Sequence, residues 1–480
     1  MSTLLIILYV YFVSFLDKPE KTAPQLSPRA VEQRQKWNIP TDQMDYPVSP
    51  MYMDSLRRMG VKIYHKSRWF NGVTCEMKED LAKKVGGLSF VTSVEMTRDD
   101  SEPIHGISKR KRMNELTNEG MSDILNSDYW TDQQLELYNL PKLHEAGFEG
   151  QGILLAVCDG GFYNANKMNC FRQQSQELGH FDFTDDTDDF YGSTGTHGSE
   201  CLSLISGILS DEYGGYYGAA TKANYYLMRS EEMPKESPKE MDNMVVALET
   251  ADSLGVNVFS ASLGYAKFDN DAWTLDKTQD LDGKTTRCSQ AATIAARKGM
   301  LVCIAAGNEG NNEWRTISAP ADADSILTVG AVDTDSLPGY FTSYGPSSDG
   351  RIKPEVCAVG VQATVVHPVG DMIITGNGTS FATPLIAGLA CSLWSALPDE
   401  NAMQIRERII RSAHRHDHPD RQNRIGYGIP DAWKAYNNGE RLGVESIQYS
   451  EFSVQKILRG DQILIIRHGH IYNLAGQRIE

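Results

Sequence analysis

Four polar residues of this chain carry the side chains that acyl-transfer chemistry needs. Asp159 ends the apolar run GILLAVCD, His197 lies in TGTHGSE, Asn308 lies in AAGNEG, and Ser380 lies in NGTSFATPLIAG. An acid can orient an imidazole, the imidazole can take a proton from a hydroxyl, and a side-chain amide can stabilise a developing oxyanion. The chain order Asp, His, Ser is one of the known orders for such a triad.

Each of these residues also fits a structural role when it is taken alone. Serine commonly caps the N-terminus of a helix, and Asn in a Gly-flanked turn is ordinary turn chemistry. Ser380 follows Gly378 and opens an apolar run that predicts a buried helix ending near Leu397. Such a helix would give the hydroxyl a rigid mount at the positive end of the helix dipole. The chemical interpretation therefore depends on the four residues meeting in space.

The elements that must position them are alternating strands and helices from residue 150 onward. The predicted strands, such as GILLAVCD, NYYLMR, MLVCIAAG and SILTVGAV, are apolar throughout. A parallel sheet covered on both faces requires this pattern, so we predict a doubly wound, mostly parallel α/β domain. In such sheets functional groups gather at the carboxyl ends of the strands, which is where Asp159 and Asn308 lie.

The composition limits the class of protein. The chain has 480 residues, which predicts about two or three domains, and 41% hydrophobic residues, which suffices for a sizeable core. Its net charge of −17 argues against a nucleic-acid partner, which needs clustered Lys and Arg. The eight cysteines form no C-x-x-C pair, which argues against a zinc ribbon.

Residues 1–97 are predicted to form a separate N-terminal domain. The order β-α-β-β-α-β, with LSPRAVEQRQKW as a polar linker and a turn at Asn71-Gly72, is typical of a ferredoxin-like α+β fold. Residues 98–135 are interpreted as a linker. Its basic run Ser108–Arg112 fits either a processing site or a solvated surface segment.

Both ends of the chain leave alternatives open. The apolar run Leu4–Leu16 fits a signal segment that lacks a basic start and a cleavage site, or a first strand that overlaps it. It is too short for an ordinary membrane-spanning helix, so no clear span is predicted. Residues 437–480 are predicted to be a tail with short strands.

Seven segments in the same order resemble those of the subtilisin-like serine proteases, the subtilase family. They are GILLAVCDGGF, GTHGSE, GVNVFSASLGY, AAGNEG, ISAPADADSILTVGAVD, FTSYGP and NGTSFATPLIAG. The resemblance covers residues 140–436 and assigns a catalytic domain to residues 136–436. It implies a triad of Asp159, His197 and Ser380 with Asn308 in the oxyanion hole. It further implies that a peptide substrate pairs with the backbone of Ser262, Leu263 and Gly264.

The same resemblance implies a serine endopeptidase that is made as a self-inhibited proenzyme. Protein or peptide substrates, and the N-terminal domain as intramolecular inhibitor, would be its partners. The chemistry would need no cofactor or metal, and a structural calcium ion stays open, since the acidic run Asp182–Phe190 fits a calcium site or a solvated loop. Export from the cell is expected, and the tail IYNLAGQRIE resembles the C-terminal sorting tails of some exported bacterial proteins.

The chain departs from the family pattern at two places. Gly160 follows the acid where the family commonly has Ser or Thr, which removes one hydrogen bond to the carboxylate. The histidine motif reads HGSEC, so that Glu200 and Cys201 are unexpected. These departures motivate the alternative hypothesis, an inactive protease-like fold that serves as a peptide-binding or adhesive module.

Overall fold

The structure is a computed structural model, and it describes most of the chain. The described residues are 8–20, 22–99, 131–172, 174–184, 189–192, 195–211, 214–232, 235–420, 424–437, 455–459, 462–467 and 470–472. Contacts divide the chain into a large unit, Met1–Asn437, and a small unit, Asn438–Glu480. Most of the predicted linker 98–135, including the basic run Ser108–Arg112, lies outside the described residues.

An antiparallel four-stranded sheet forms the N-terminal part of the large unit. Its strands follow the order β2-β3-β1-β4, and its core is formed by side chains such as Val13, Leu56 and Val73. This order is that of a ferredoxin-like fold, so the predicted class of this domain is confirmed. The strands are β1 Tyr9–Phe15, β2 Lys62–Ser67, β3 Gly72–Met77 and β4 Val91–Asp99, and the helices that accompany them are α2 Pro50–Arg58 and α3 Glu79–Gly86.

Two details of this domain differ from the prediction. The supposed polar linker contains a helix, α1 Pro28–Lys36, whose N-terminus is capped by the Ser27 hydroxyl. Its composition is polar because its partner is not an apolar core, as shown below. The run VKIYHKSRW predicts a strand that ends at Trp69, but β2 ends at Ser67. The backbone N–H groups of Arg68 and Trp69 donate to the carboxylate of Glu249 and not to a neighbouring strand.

A seven-stranded sheet forms the centre of the large unit, in the order β13-β12-β11-β10-β5-β9-β6. All the strand pairs that join it are parallel, which confirms the predicted sheet. Along β5, Leu155 and Val157 face one apolar cluster, while Leu154 and Ala156 face the other. Both faces are therefore covered, as in a doubly wound fold. The strands are β5 Leu154–Asp159, β6 Glu177–Asp182, β9 Asn224–Arg229, β10 Val258–Ala261, β11 Leu301–Ala305, β12 Leu327–Val332 and β13 Val356–Val359.

Helices and two hairpins surround this sheet. The hairpins, which the sequence analysis missed together with β6 and β13, are β7 Ile208–Asp211 with β8 Gly214–Tyr217, and β14 Ala363–His367 with β15 Met372–Gly376. The helices are α4 Asp132–Glu136, α5 Leu140–Glu145, α6 His197–Ser206, α7 Lys239–Leu254, α8 Arg287–Arg297, α9 Thr379–Ala396, α10 Ala402–Ser412 and α11 Ala432–Asn437.

Helix α9 is the central helix that the sequence predicts. Every residue from Thr379 to Trp394 is buried, and the helix contacts β10, β11, β12 and β13. It is the one helix among the described residues that is long and apolar enough to cross a membrane, and 89% of that stretch is buried inside the protein. A core helix of a soluble protein passes the same test. All eight cysteines are free and buried, as the apolar context of Cys158, Cys303 and Cys391 predicts.

The small unit contains a three-stranded antiparallel sheet. Its strands are β16 Gln455–Arg459, β17 Gln462–Arg467 and β18 His470–Tyr472, in the order β16-β17-β18. The predicted strand-containing tail falls here. Most of the segment IYNLAGQRIE, on which the sorting-tail resemblance rests, lies outside the described residues.

Candidate active site

Three neighbouring strands of the parallel sheet end at the same edge, and each is followed by a candidate residue. Asp159 ends β5, Ser262 follows β10, and Asn308 follows β11 soon after its last residue. Parallel strands bring their carboxyl ends together, so these side chains meet although they are far apart in sequence. Helices α6 and α9 begin at this edge too, with His197 and Ser380 in their first turns.

Asp159 and His197 are joined by a hydrogen bond. The distance from His197 Nδ1 to Asp159 Oδ1 is 2.8 Å, and the same oxygen accepts the N–H of Gly160 at 2.7 Å. Asp159 is fully buried, and the His197 side chain is 12% exposed. The other carboxylate oxygen, Oδ2, is buried and has no hydrogen-bond partner among the residues that the structure describes.

The charge of Asp159 governs the protonation of His197. Burial by itself would lower the pKa of His197, but the neighbouring carboxylate and its hydrogen bond outweigh burial and raise that pKa well above its usual value. Because the carboxylate can only accept, Nδ1 carries the proton of this hydrogen bond. In the neutral ring Nε2 is then unprotonated, which leaves it able to take a proton from a hydroxyl.

Ser380 lies in the first turn of α9 and is 8% exposed. Its carbonyl oxygen accepts the hydroxyl of Ser262 at 2.7 Å and the thiol of Cys201 at 3.3 Å. The Cys201 sulfur lies 3.9 Å from His197 Nε2, and the ring of Phe381 lies 5.6 Å from the His197 ring. The serine and the imidazole are therefore neighbours, although within the described part of the chain no hydrogen bond joins the Ser380 hydroxyl to His197.

Thr379 fixes the orientation of the Asn308 amide. Asn308 Oδ1 accepts the Thr379 N–H at 2.9 Å and the Thr379 hydroxyl at 3.0 Å, which directs Nδ2 to the other side. A Cβ placed on Gly378 would lie 2.6 Å from Ser380 Oγ and 3.6 Å from Asn308 Nδ2. The hydroxyl and the amide donor therefore border the same space, which a side chain at residue 378 would fill.

The segment Ser262–Gly264 follows β10 at this edge. Ser262 and Leu263 are half-buried and Gly264 is exposed. Leu263 and Gly264 make no backbone hydrogen bond to any other residue within the described ranges. Tyr265, the next residue, is held by two backbone hydrogen bonds to Ala319 of 2.7 and 2.9 Å. The segment is thus anchored beside unpaired backbone groups that an extended peptide can bind.

Two residues of the site, Glu200 and Thr379, make contacts that the sequence did not predict. Glu200, one turn along α6, is 1% exposed, and burial raises its pKa from 4.5 to about 7 while the charge of His197 lowers it. Its Oε1 lies 3.7 Å from Nε2 of His367, at the end of β14. The unexpected letters of HGSEC signalled Glu200, but no local signal links it to His367. The sequence likewise carries no local signal that Thr379 orients Asn308.

Among the described residues there are two groups of side chains that could bind a metal ion. Within each group the possible ligand atoms lie within 4.8 Å of one another. One contains Asp159, His197 and Cys201, and in it the acid and the imidazole already bond to each other. The other is an acidic cluster of Glu231, Glu236 and Glu240. Part of the acidic run Asp182–Phe190 lies outside the described residues, and Asp182 itself pairs with Arg229 at 3.1 Å. A structural calcium ion stays a prediction.

Comparison with known proteins gives two family matches. The profile of the subtilase family, a peptidase family, matches residues 150–428, which is more than half of the chain. The profile of the peptidase S8 propeptide domain of Bacteroidota matches residues 10–115. The first match contains all the candidate residues above, and the second contains the N-terminal sheet except for its first residue, Tyr9.

Individual relatives are distant in sequence. Serine protease AprX of Bacillus subtilis (strain 168) is 27% identical over 285 residues, which cover 54% of this chain and 60% of that protein. Subtilisin DY of Bacillus licheniformis is 26% identical over 281 residues, covering 58% of this chain and 90% of that protein. The matched region thus spans less than two thirds of the length of AprX.

Two solved structures share the fold. The crystal structure of MycP1 from the ESX-1 type VII secretion system has a TM-score of 0.51 at 22% identity, covering 65% of this chain and 87% of that chain. MycP1 from Mycobacterium smegmatis has a TM-score of 0.50 at 21% identity, covering 67% and 87%. At such identities the likeness concerns the fold alone.

Proposed function

This chain belongs to the subtilase family of peptidases, and from that premise we propose that it hydrolyses peptide bonds of proteins as a serine endopeptidase. The observation that carries the proposal is the 2.8 Å hydrogen bond between His197 Nδ1 and Asp159 Oδ1, at the sheet edge where Ser380 begins its buried helix. An acid that holds an imidazole beside a rigidly mounted hydroxyl is the arrangement that acyl transfer requires.

In the proposed reaction the Ser380 hydroxyl attacks the scissile carbonyl carbon. His197 Nε2 takes the hydroxyl proton, while Asp159 stabilises the imidazolium that forms. The carbonyl oxygen becomes negative and accepts a hydrogen bond from Asn308 Nδ2. When the tetrahedral intermediate collapses, the proton on His197 passes to the leaving amine and the acyl group stays on Ser380. Water then repeats the sequence and releases the acid product.

The substrate of this reaction is an extended peptide. We propose that it adds as a strand beside Ser262, Leu263 and Gly264, because backbone groups of Leu263 and Gly264 are unpaired with other described residues. Main-chain hydrogen bonds of this kind bind peptides with little dependence on their sequence. The bound strand would present its carbonyl to Ser380, whose backbone oxygen already accepts the Ser262 hydroxyl. The chemistry needs no cofactor.

The N-terminal domain is proposed to be the intramolecular inhibitor of a proenzyme. Its strand β4 runs to the active-site edge, where Arg98 pairs at 2.6 Å with Glu232, two residues beyond the one bonded to the main chain of Asp159. Glu95 of the same strand pairs at 2.5 Å with Arg287 of α8. We assign residues 1–97 to the inhibitor, 98–135 to the linker, 136–436 to the catalytic domain and 437–480 to the tail. Export of the protein completes the proposal.

Labelling with a fluorophosphonate probe tests the catalytic assignment. The mature protein should be labelled on Ser380, and Ser380→Ala should abolish both labelling and casein hydrolysis. Ser395→Ala is the matched control, since Ser395 lies on the same helix and bonds to Ser392 and Gly150 away from the site. It should be labelled like the wild type. A strong probe signal in the Ser380→Ala variant would refute the assignment.

A second candidate function is a protease-like fold that binds peptides without cleaving them. The described residues favour it in one respect, since no hydrogen bond joins the Ser380 hydroxyl to His197. Catalytic hydrogen bonds are often long before substrate is bound, which weakens this objection. A fully processed protein that binds peptides with micromolar affinity and never labels Ser380 would establish this alternative.

A further inference from the structure

The segment between β1 and α2, residues 16–49, of which the structure describes all but residue 21, reaches the edge of the catalytic sheet opposite to the candidate active site. We call this segment the strap. Its partners lie just before the parallel strands begin: Gly152 precedes β5, Asn257 precedes β10 and Lys298 precedes β11. The candidate catalytic residues follow the ends of these strands. A strand of six residues such as β5 separates the two edges by about 20 Å.

Helix α1 of the strap lies directly on the backbone of this far edge. Arg29 donates to the carbonyl oxygens of Gly255 and Gly152, each at 3.1 Å, and to Asn257 Oδ1 at 2.7 Å. Gly255 has a φ of 76°, and a Cβ there would lie 2.8 Å from the backbone nitrogen of Ala30. A residue with a side chain at position 255 would therefore push α1 away, so the surface is shaped to receive this helix.

A chain of alternating charges joins the catalytic domain to Arg34 and Asp45 of the strap and to Arg68, which follows β2. Each link is a close ion pair or a charge-assisted hydrogen bond, and each side chain is 5% exposed or less. The links are Lys298–Asp45 at 3.0 Å, Asp45–Arg34 at 2.7 Å, Arg34–Asp252 at 2.8 Å, Asp252–Arg68 at 2.5 Å, and the Arg68 N–H to Glu249 at 2.8 Å.

The two domains contribute complementary charges to this network. Arg34, Arg68 and Asp45 come from the N-terminal domain and carry a net positive charge. The catalytic domain supplies Lys298, Asp252 and Glu249, with a net negative charge. Buried pairs of this kind are poorly screened by salt, and removal of one partner leaves an uncompensated buried charge.

This far-edge contact is separate from the one at the active-site edge. There the N-terminal domain uses β4, through Arg98 on Glu232 and Glu95 on Arg287, and no residue of the strap takes part in those two pairs. Strand β4 and the strap therefore contact the catalytic domain at opposite edges of its sheet.

We propose that the strap is a retention anchor, which keeps the N-terminal domain bound to the catalytic domain after the chain between them has been cut. The surface that it occupies, formed by Asp252, Gly255 and Asn257, fits a helix that presents arginine side chains. The proposal rests on the proenzyme arrangement proposed above. It predicts that cleavage of the linker alone does not release the N-terminal domain, and that the far-edge contact governs its rate of release.

The test uses the full chain in the Ser380→Ala background, with the recognition site of a sequence-specific protease inserted between residues 101 and 130. After cutting, the two fragments should elute together in gel filtration at micromolar concentration. The dissociation rate is then measured with a fluorophore on the N-terminal fragment. Arg34→Ala should raise this rate about a hundredfold or more, because it leaves the buried network with one uncompensated negative charge.

Three further variants make the test specific. Arg57→Ala, which removes an exposed ion pair between Arg57 and Asp54 of α2, should leave the rate unchanged. Glu232→Gln, at the active-site edge, should raise it less than Arg34→Ala does. If Arg34→Ala does not fold, as its thermal melt would reveal, Arg29→Ala takes its place, since that side chain lies at the exposed rim and bonds only to neutral groups.

We expect Arg29→Ala to raise the rate about tenfold. The proposal is overturned if the fragments separate in gel filtration without any substitution, or if the folded Arg34 or Arg29 variant dissociates at the rate of Arg57→Ala. Because the assay measures binding in an inactive variant, it is independent of probe labelling. A failure of Ser380 to react would refute the catalytic assignment and leave this result standing.

Discussion

Asn308 accepts two hydrogen bonds from Thr379, one from its N–H at 2.9 Å and one from its hydroxyl at 3.0 Å. The same hydroxyl accepts the N–H of Gly307 at 3.2 Å. With Oδ1 occupied, Nδ2 faces the space beside Ser380 Oγ before any substrate arrives. A donor that is oriented in advance stabilises an oxyanion without reorganisation in the transition state.

The first prediction concerns this positioning role of Thr379. Thr379→Val should lower kcat about tenfold and leave KM nearly unchanged, because the donor is loosened but not removed. Asn308→Ala, which removes the donor, should lower kcat about 10²- to 10³-fold. Thr383→Val is the control, since its hydroxyl bonds only to the Thr379 carbonyl at 2.8 Å. Steady-state kinetics on a peptide substrate would contradict this role if Thr379→Val changed KM alone.

The second prediction concerns the unpaired carboxylate oxygen of Asp159. Gly160→Ser offers a hydroxyl to Oδ2, which has no partner among the described residues. One such bond is worth about 1 kcal/mol, so we expect kcat/KM to rise roughly fivefold. Gly160→Ala adds the Cβ without the hydroxyl and separates the two effects. Equal rates for the Ser and Ala variants would show that the hydroxyl does not reach the carboxylate.

The third prediction concerns Gly198, the residue after the candidate base. A Cβ at this position would lie 2.4 Å from the carbonyl oxygen of Gly161 and 2.9 Å from Asp159 Cβ. Gly198→Ala should therefore push α6 away from the end of β5 and disturb the bond between His197 and Asp159. We expect kcat to fall at least about 10²-fold, as misplacement of a catalytic group by about 1 Å can do.

Gly86→Ala is the matched control for this change. Its Cβ would meet only the Val94 side chain at 3.7 Å, an ordinary contact. Gly86 lies in the proposed inhibitor domain, so the change should leave the melting temperature of the full chain nearly unchanged and the kcat of the mature enzyme unaffected. Wild-type kcat in a Gly198→Ala variant would mean that α6 can move without disturbing His197.

The fourth prediction concerns the pH dependence of stability at Glu200. Burial raises its pKa from 4.5 to about 7, so between these values the folded protein holds a proton that the unfolded chain has lost. The free energy of unfolding should therefore fall as the pH rises through this window. Glu200→Gln removes the titration, and above pH 7 we expect it to gain on the order of 2–3 kcal/mol relative to the wild type.

Thermal melts between pH 4.5 and 8, in the Ser380→Ala background, measure this difference. The titratable groups that face Glu200 are His197 in the first turn of α6, Asp159 at the end of β5, and His367 from β14. Glu407→Gln, which changes a half-buried carboxylate paired with Arg411, is the control. If the melting curves of Glu200→Gln and the wild type ran parallel over this range, Glu200 would not carry the raised pKa.

The same substitution has a kinetic consequence. An ionised Glu200 favours the imidazolium form of His197, whereas a general base must be neutral. Glu200→Gln should lower the pKa of His197 and move the acidic limb of the kcat/KM profile to lower pH. A shift of that limb to higher pH would contradict the sign of this coupling.

Much of the candidate site was predictable because its signals are local. Asp159 ends an apolar run that forms a strand, and the run after Ser380 is apolar enough to predict a buried helix, which begins at Thr379. A parallel sheet then brings such ends together, so the spatial meeting of residues far apart in sequence follows from the fold class.

The geometry within the site was less accessible to sequence reasoning. The letters HGSEC mark Glu200 as unusual, but only the packing of β14 against α6 places His367 3.7 Å away. Likewise Thr379 is a routine letter before a helix, and its bonds to Asn308 exist because β11 ends beside the start of α9. Contacts between side chains of different elements leave no periodic trace in the sequence.

The sequence by itself determined the order of the elements, the sheet type and the residues that can do acyl-transfer chemistry, since each depends on residues close together in the chain. Only the tertiary structure decided what α1 is. A polar segment such as PRAVEQRQK has no apolar stripe to announce a helix, and its Arg34 is buried against Asp252, which lies 218 positions away. Charge complementarity between distant residues acts through space, so no local pattern in the sequence predicts the contact between the strap and the catalytic domain.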